Sequence, residues 1–332
     1  MSEAIWITEA EVVRLFSLPD AIPALEEGLR LEAKGEAETM PKAHAVWSDG
    51  AGHTNTLHAI GAVMQGAGLI GTKTWAHTTG GACPLLILFD SANGSLQAII
   101  EAFALGQYRT GGLSGVATHR MARADADEMG LVGTGKQAIT QVAAVAAVRP
   151  LKRLRVYSPT PEKRRAFIER VRKAFAFEVV EVDSVEAAVA DCPIVTLVTR
   201  ATEAFLTADM LAPGTHLNAV GAITPERREF TQDVFDRTQL IAVDSPDTVR
   251  RLNAEFIEQF VEGDGDWNRV QKISALVAAD AQRPADCDLS LFKAMGMGLS
   301  DLSLGRAILA AARAQGVGRE IPQPVKVPPR LT

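Results

Sequence analysis

Cysteine is scarce. Cys83, Cys192 and Cys287 are three in 332 residues, odd in number and far apart, and no CxxC pair occurs. That usage excludes a disulfide framework and a cysteine-based metal site, and it fits a reducing compartment. Basic charge is also short: Lys and Arg total 34 against 40 Asp and Glu, a net charge of −6, with no basic block interleaved with aromatics. This balance argues against a nucleic-acid partner. No apolar stretch reaches the ~18 residues that cross a bilayer, and MSEAIWITEAEVVRLF lacks the basic start and apolar run of a signal peptide. The expectation is a soluble, cytoplasmic protein with no membrane partner. The 6 histidines show no HxxxH or HxH spacing with carboxylates, so no metal site is expected, and no GxSxG elbow marks a serine nucleophile.

What is present is an ordinary globular composition, 47% hydrophobic and 22% charged, in a chain longer than one typical core. Two domains follow from the length, and the change of hydrophobic period separates them. The segment from Ile7 to Ala37 reads as two helices, with Thr8 and Glu11 as a capping box for the first and Asp20 capping the second. From about 41 to 101 the period becomes two. HAVW, TLHAIGAV, LIGTKTWAH, PLLILFD and SLQAIIE are strand candidates, and Asn93-Gly94 marks a hairpin. Short connections between successive strands imply an antiparallel sheet. After a helix in FALGQYRTGGLSGVATHRMA, strands and helices alternate, the pattern of a doubly wound parallel sheet. SLFKAMGMGLSDLSLGRAILAAARAQG reads as helical and able to return to the first domain, and IPQPVKVPPRLT as an extended tail. The expected fold is α/β: a Rossmann-type dinucleotide-binding domain over 121–302, and an α+β substrate-binding and dimerisation domain with an antiparallel sheet over 1–120 with 303–332.

Gly133-Thr134-Gly135-Lys136-Gln137-Ala138 is GxGxxA between the apolar EMGLV and an Ala/Val-rich helix. In that context Gly133 permits the tight turn, Gly135 lets backbone approach a pyrophosphate, and the helix N-terminus favours its charge. The alternative is a structural glycine turn. At the end of the next strand, RVYSPTPEKRR has no Asp or Glu to accept ribose hydroxyls. Ser158, Thr160, Lys163 and Arg164 suit a 2′-phosphate instead, so NADP is expected over NAD. Read blandly, the same cations are the solvated start of a helix.

The first domain offers Lys73, Trp75 and His77 at i, i+2 and i+4, which puts them on one strand face. Lys42 and His44 share a face of PKAHAVW, and His58 and Arg109 complete the polar candidates. Arg109 lies near a helix start, unfavourable for a cation unless it binds an anion. Each alone reads as a surface cation or a satisfied histidine. Beside a dinucleotide domain they suggest a carboxylate-bearing substrate.

Several stretches resemble the ornithine cyclodeaminase/mu-crystallin family. RTGGLSGVAT is similar to its RTAAxSxxA helix start, LVGTGKQA to its GAGxQA loop, PGTHLNAVGAITPERREF to PGxHxNAxGxxxPxxxEL, and LFKAMGMGLSDLSLG to FKSxGxAxxDxxxA. The resemblance implies that Lys73 is the active-site lysine and Arg109 the carboxylate-binding arginine. A further family arginine falls on Lys42 or His44. Where ornithine cyclodeaminases carry a catalytic aspartate, this chain has Ala222-Ile223. That removes the obvious base for ring closure and leaves hydride exchange between NAD(P)H and a C=N bond beside a carboxylate. The implied enzyme reduces a 2-imino acid or cyclic ketimine carboxylate, with His77 or His44 relaying the proton, Trp75 and His58 in the substrate wall, and Trp47 a further wall candidate. Thr199, Val220, Gly221, Met297 and Gly298 are its remaining expected cofactor contacts. The family also implies a homodimer. Two alternatives stand beside this reading: an ammonia-releasing cyclodeaminase, and a nucleotide-binding protein without catalysis.

Overall fold

The computed structural model describes residues 3–332, and the chain separates into two compact units. The first comprises the chain through Ser17, Leu31–Arg109 and Met297–Thr332. Its sheet has nine strands. Along its main path Arg319–Ile321 is followed by Ala4–Ile7, Leu96–Glu101, Leu85–Asp90, Leu69–Thr78, Thr54–Met64 and Glu38–Thr39. Ala43–Ser48 pairs with Thr54–Met64, and Gly81–Ala82 with Leu69–Thr78. All pairs are antiparallel except Ala4–Ile7 with Leu96–Glu101. The Asn93-Gly94 signal lies in the hairpin between Leu85–Asp90 and Leu96–Glu101, where Gly94 takes φ 74°. Thr8 and Glu11 form the capping box at the start of the helix Glu9–Leu15.

The helix Gly298–Gln315 belongs to this first unit. Gly298 is required by packing: a Cβ there would stand 2.0 Å from the carbonyl oxygen of Gly61. Gly305 likewise leaves room for Leu86. The close approach brings the first turn of this helix against the strands that carry the candidate substrate residues.

The second unit comprises Leu18–Arg30 and Thr110–Gly296. Its eight strands are all parallel, in the order Glu178–Glu181, Arg153–Tyr157, Glu128–Val132, Ile194–Leu197, His216–Ala219, Leu289–Lys293, Thr238–Val243, Val270–Lys272. The chain winds outward in one direction from Glu128–Val132 and then in the other, so the order reverses between that strand and Ile194–Leu197. Open α/β sheets bind ligands at such a switch point, beyond the carboxyl ends of the strands.

Several local expectations differ from the structure. Asp20 does not cap its helix, which begins earlier, at Leu18. That helix, Leu18–Ala33, contributes its first part to the second unit, where Leu25 and Ile22 press on Gly112 and Gly115. SLFK is not helical but the buried strand Leu289–Lys293; a strand covered on both faces has no alternation to betray it. Ala4–Ile7 is a strand missed in front of the first helix, and the proline-rich tail is tied down in part by Gln323, which bonds the backbone of Leu96 through both amide atoms.

Candidate active site

The strand Leu69–Thr78 carries Lys73, Trp75 and His77 on one face, with exposure rising from the buried Lys73 to the open His77. Antiparallel register places Ile60 opposite Lys73, His58 opposite Trp75 and Thr56 opposite His77. One strand further, His44 faces His58. Flat rings at adjacent positions of three strands stack: His58 lies on Trp75 at 4.7 Å between centroids, and His44 on His58 at 5.9 Å. The Lys73 ammonium sits 5.1 Å from the Trp75 ring centre, within range of a cation–π contact. The wall is therefore a continuous run of ammonium, indole and two imidazoles. Trp47 stands in the alternate set of the strand Ala43–Ser48 from His44, on the opposite face from this wall.

Lys73 is 4% exposed, and its charge is met by Asp301, which is 0% exposed and accepts from Nζ at 2.5 Å. Asp301 comes from the first turn of Gly298–Gln315, where a carboxylate suits the helix dipole. The Arg109 Nε stands 3.6 Å from the same carboxylate oxygen. Among the described residues, Arg109 Nε and Asp301 Oδ2 are buried without a hydrogen-bond partner. Unpaired buried polar atoms are costly, and here they belong to one charged cluster. Desolvation lowers the Lys73 pKa to about 8; Asp301 opposes that shift, while Arg109 and Lys42 add to it. Burial and the nearby Arg109 lower the pKa of Lys42 as well. His58 is pushed down to about 4, by burial first and then by Lys42, His44 and His77, so it is neutral at pH 7. Its Nε2 meets Thr56 Oγ1 at 2.7 Å, and Nδ1 is buried without a partner among the described residues. The arrangement is a cationic sheet face with one buried lysine whose pKa lies near 8.

His77 is set apart. Four residues along an extended strand put it ~13 Å from Lys73, at the exposed end. Asp301 is the member that sequence reasoning missed, though it stands as the lone acid in GLSDLSLG, inside a helix otherwise of small and apolar residues at that end.

In the second unit the loop after Glu128–Val132 has the geometry its glycines suggest. Gly133 takes φ 108°, and a Cβ there would meet the Val198 carbonyl oxygen at 2.6 Å. Gly135 has nothing within 4 Å of a Cβ position and is exposed, so the loop leaves room for a pyrophosphate against backbone. Thr134 and Gln137 are half-buried and Lys136 is exposed; Ala138 opens the helix Ala138–Val148 and is fully buried against the sheet. The residues present fit a dinucleotide.

At the next strand end, Ser158 is buried, Thr160 half-buried and Lys163 exposed. Arg164 differs from its expected use. Its guanidinium is buried and donates to Glu181 at 2.8 Å, to the Ser158 carbonyl at 2.9 Å and to Asp183 at 3.1 Å. It ties the strand ends together and is not free to meet a phosphate.

Thr199, Val220 and Gly221 lie just past the ends of Ile194–Leu197 and His216–Ala219. Glu229, which was not singled out in the sequence, gathers them: its carboxylate accepts from Thr199 N and Oγ1, Gly221 N and Ala222 N. Gly221 is obligatory, because a Cβ would stand 2.3 Å from Glu229 Oε1. Met297 is buried at the cap of its helix, and Gly298 is committed to packing on Gly61.

Known proteins resemble this chain in sequence and in fold. A Δ1-pyrroline-2-carboxylate reductase of Bacillus cereus is 28% identical over 239 residues, which is 71% of this chain and 73% of that protein. The solved Δ1-pyrroline-2-carboxylate reductase of Thermococcus litoralis, in complex with NADH and L-proline, superposes with a TM-score of 0.87 at 24% identity, over 96% of this chain and all of that one (100%). An archaeal alanine dehydrogenase dimer with bound NAD gives 0.86 at 23% identity, over 96% and 99%. The sequence model of the ornithine cyclodeaminase/mu-crystallin family matches residues 3–316. With the lysine strand, the arginine helix and the dinucleotide loop all inside that span, the chain belongs to the ornithine cyclodeaminase/mu-crystallin family.

Proposed function

We propose that this protein is an NAD(P)H-dependent oxidoreductase that reduces a 2-imino acid or cyclic ketimine carboxylate to the corresponding amino acid. The observation that carries the reading is the buried Lys73–Asp301 pair beside an unsatisfied Arg109. The reaction adds hydride from the reduced nicotinamide to the imine carbon and a proton to the imine nitrogen, giving the amine and the oxidised cofactor. Arg109, with Lys42, binds the substrate carboxylate and orients the C=N bond. Lys73 donates the proton: a group with a pKa of about 8 is both protonated and willing at neutral pH. Asp301 holds the ammonium in place and compensates its charge. His58, neutral and stacked between rings, serves as wall rather than as cation, and Trp75 closes the same side. His77 is too far along the strand to protonate the atom that Lys73 reaches.

The dinucleotide is held by the Gly133–Gln137 loop, and Ser158, Thr160 and Lys163 favour a 2′-phosphate, hence NADP over NAD. The protein is a homodimer in this reading. Trp47, Leu57 and Val63 lie on the sheet face opposite Lys73 and are 42%, 48% and 45% exposed, an apolar surface suited to a second copy.

The test is NADPH oxidation with Δ1-pyrroline- and piperideine-2-carboxylate, and with 2-keto acids plus ammonia or methylamine. Stoichiometric NADPH loss with amino acid formed is the expected result. Ammonia release from a diamino acid with no net change in cofactor would assign the protein to cyclodeamination instead, and binding without turnover across the panel would leave a nucleotide-binding protein.

A further inference from the structure

Four buried ionisable side chains of the second unit form a cluster that the proposed reaction does not use. Glu229, Glu255 and Lys293 are 0% exposed and Asp244 is 1% exposed. Their carboxylates take the backbone N–H groups at the carboxyl ends of neighbouring strands. Glu229 accepts from Thr199, Gly221 and Ala222, and Asp244 from Met295 and Gly296. Glu255 accepts from the Glu229 backbone at 2.9 Å and from Asn253 at 2.6 Å. Lys293 Nζ is buried with no hydrogen-bond partner among the described residues, and only the charges of Glu255, Glu229 and Asp244 face it favourably. Three carboxylates against one ammonium leave two formal negative charges. Passing the proton from Lys293 to Glu229 changes neither the sum nor its sign.

The place of this cluster follows from the sheet order. A dinucleotide whose pyrophosphate lies on the Gly133 loop extends one ribose toward the end of Arg153–Tyr157. Its nicotinamide half then extends the other way, past Ile194–Leu197 and His216–Ala219, the strand ends that Glu229 binds. The reduced ring is neutral and the oxidised ring carries a positive charge. We infer that the buried Glu229–Glu255–Asp244–Lys293 cluster sets a negative field behind the nicotinamide half of the site, which favours the oxidised ring and makes the bound reduced cofactor a stronger hydride donor. Donors that would otherwise offset this field, the N–H groups of three turns, are already turned inward on carboxylates. The inference rests on the proposed use of NAD(P)H and deepens it by shifting the equilibrium between the bound cofactor forms toward hydride donation.

The test measures dissociation constants of NADPH and NADP+ for the whole protein by protein fluorescence or calorimetry, with no substrate present. Glu255→Gln removes one negative charge. The ratio of the NADP+ constant to the NADPH constant rises about tenfold to twentyfold, the effect of a unit charge near 10 Å at an effective permittivity of ~20. Lys293→Met removes the positive charge and moves the ratio the other way by a similar factor. The double variant restores the net charge and brings the ratio back to the wild-type value. A bracing role alone would weaken both cofactor forms together and leave the ratio fixed, and that result overturns the inference. If Lys293→Met does not fold, Glu255→Gln and the double variant still decide it. Wild-type protein that binds neither form overturns the cofactor reading itself, an outcome distinct from binding with an immovable ratio.

Discussion

Two buried lysines, one in each unit, show what surroundings do to the same side chain. Lys73 is 4% exposed and has a single carboxylate partner, Asp301, with Arg109 and Lys42 close enough to depress its pKa. Lys293 is 0% exposed, has no hydrogen bond among the described residues, and faces three carboxylates. The first stands in a cluster with excess positive charge, on a strand face that grows more exposed toward His77. The second is enclosed in excess negative charge. A lysine of the first kind attracts an anion and can release a proton; one of the second kind stays where it is and shapes the field around it. The difference is set by neighbours supplied from distant parts of the chain.

Methionine substitution at each position is the strongest way to break this comparison. Lys73→Met should lower kcat for imine reduction by about 10²–10³-fold, the range found when a transition-state donor is removed. Lys293→Met should act mainly on stability. It leaves buried carboxylates uncompensated, which typically costs ~3–5 kcal/mol and shows as a lowered unfolding midpoint. Steady-state kinetics and thermal unfolding on both variants separate the two. Near-normal turnover of the Lys73 variant would remove that residue from the mechanism, and a Lys293 variant as stable as wild type would mean that its charge compensates nothing.

A pH profile sharpens the same contrast. Lys73 must be protonated to donate, and burial lowers its pKa to about 8, so imine reduction should fall as pH rises through about 8. In the amine-oxidising direction the neutral form is needed and the trend reverses. Asp301→Asn removes the carboxylate that opposes the depression, so the alkaline fall in reduction should move to lower pH while the fold is retained. A reduction profile flat from pH 7 to 9 in the wild type, measured as kcat/KM, would rule out Lys73 as the proton donor.

How far these assignments were legible in the sequence differs between residues. The alternation in GLIGTKTWAH correctly put Lys73, Trp75 and His77 on one face, because a strand's period is a local property. The ring stack was not legible. It depends on register between Leu69–Thr78, Thr54–Met64 and Ala43–Ser48, which aligns His44, His58 and Trp75. Asp301 was hidden for a related reason: its partner Lys73 lies 228 positions away. The GxGxxA loop was readable because its glycines answer to local geometry, a positive φ at Gly133 and open space at Gly135. Arg164 was misread as a free cation because the two carboxylates that claim it, Glu181 and Asp183, follow a strand further on. SLFK was read as helix because a fully buried parallel strand shows only an apolar run.

A third lysine extends the series to the surface and carries the smallest expected effect. Lys163 is exposed at the start of the helix Pro161–Ala174, beside an Arg164 that is already consumed by Glu181, Asp183 and the Ser158 carbonyl. With that guanidinium withdrawn, Lys163 is an exposed cation near Ser158 and Thr160 able to meet a 2′-phosphate. Water screens such a contact, so the loss is that of an exposed ion pair, ~1 kcal/mol or less. Lys163→Ala should therefore raise the NADPH Michaelis constant about threefold to fivefold, leave that for NADH unchanged, and show a smaller difference at high salt, where screening already weakens the contact. Arg164→Ala should behave differently, loosening the strand ends and weakening both cofactors alike. Equal responses to NADPH and NADH in the Lys163 variant would withdraw Lys163 as the source of a preference for NADP.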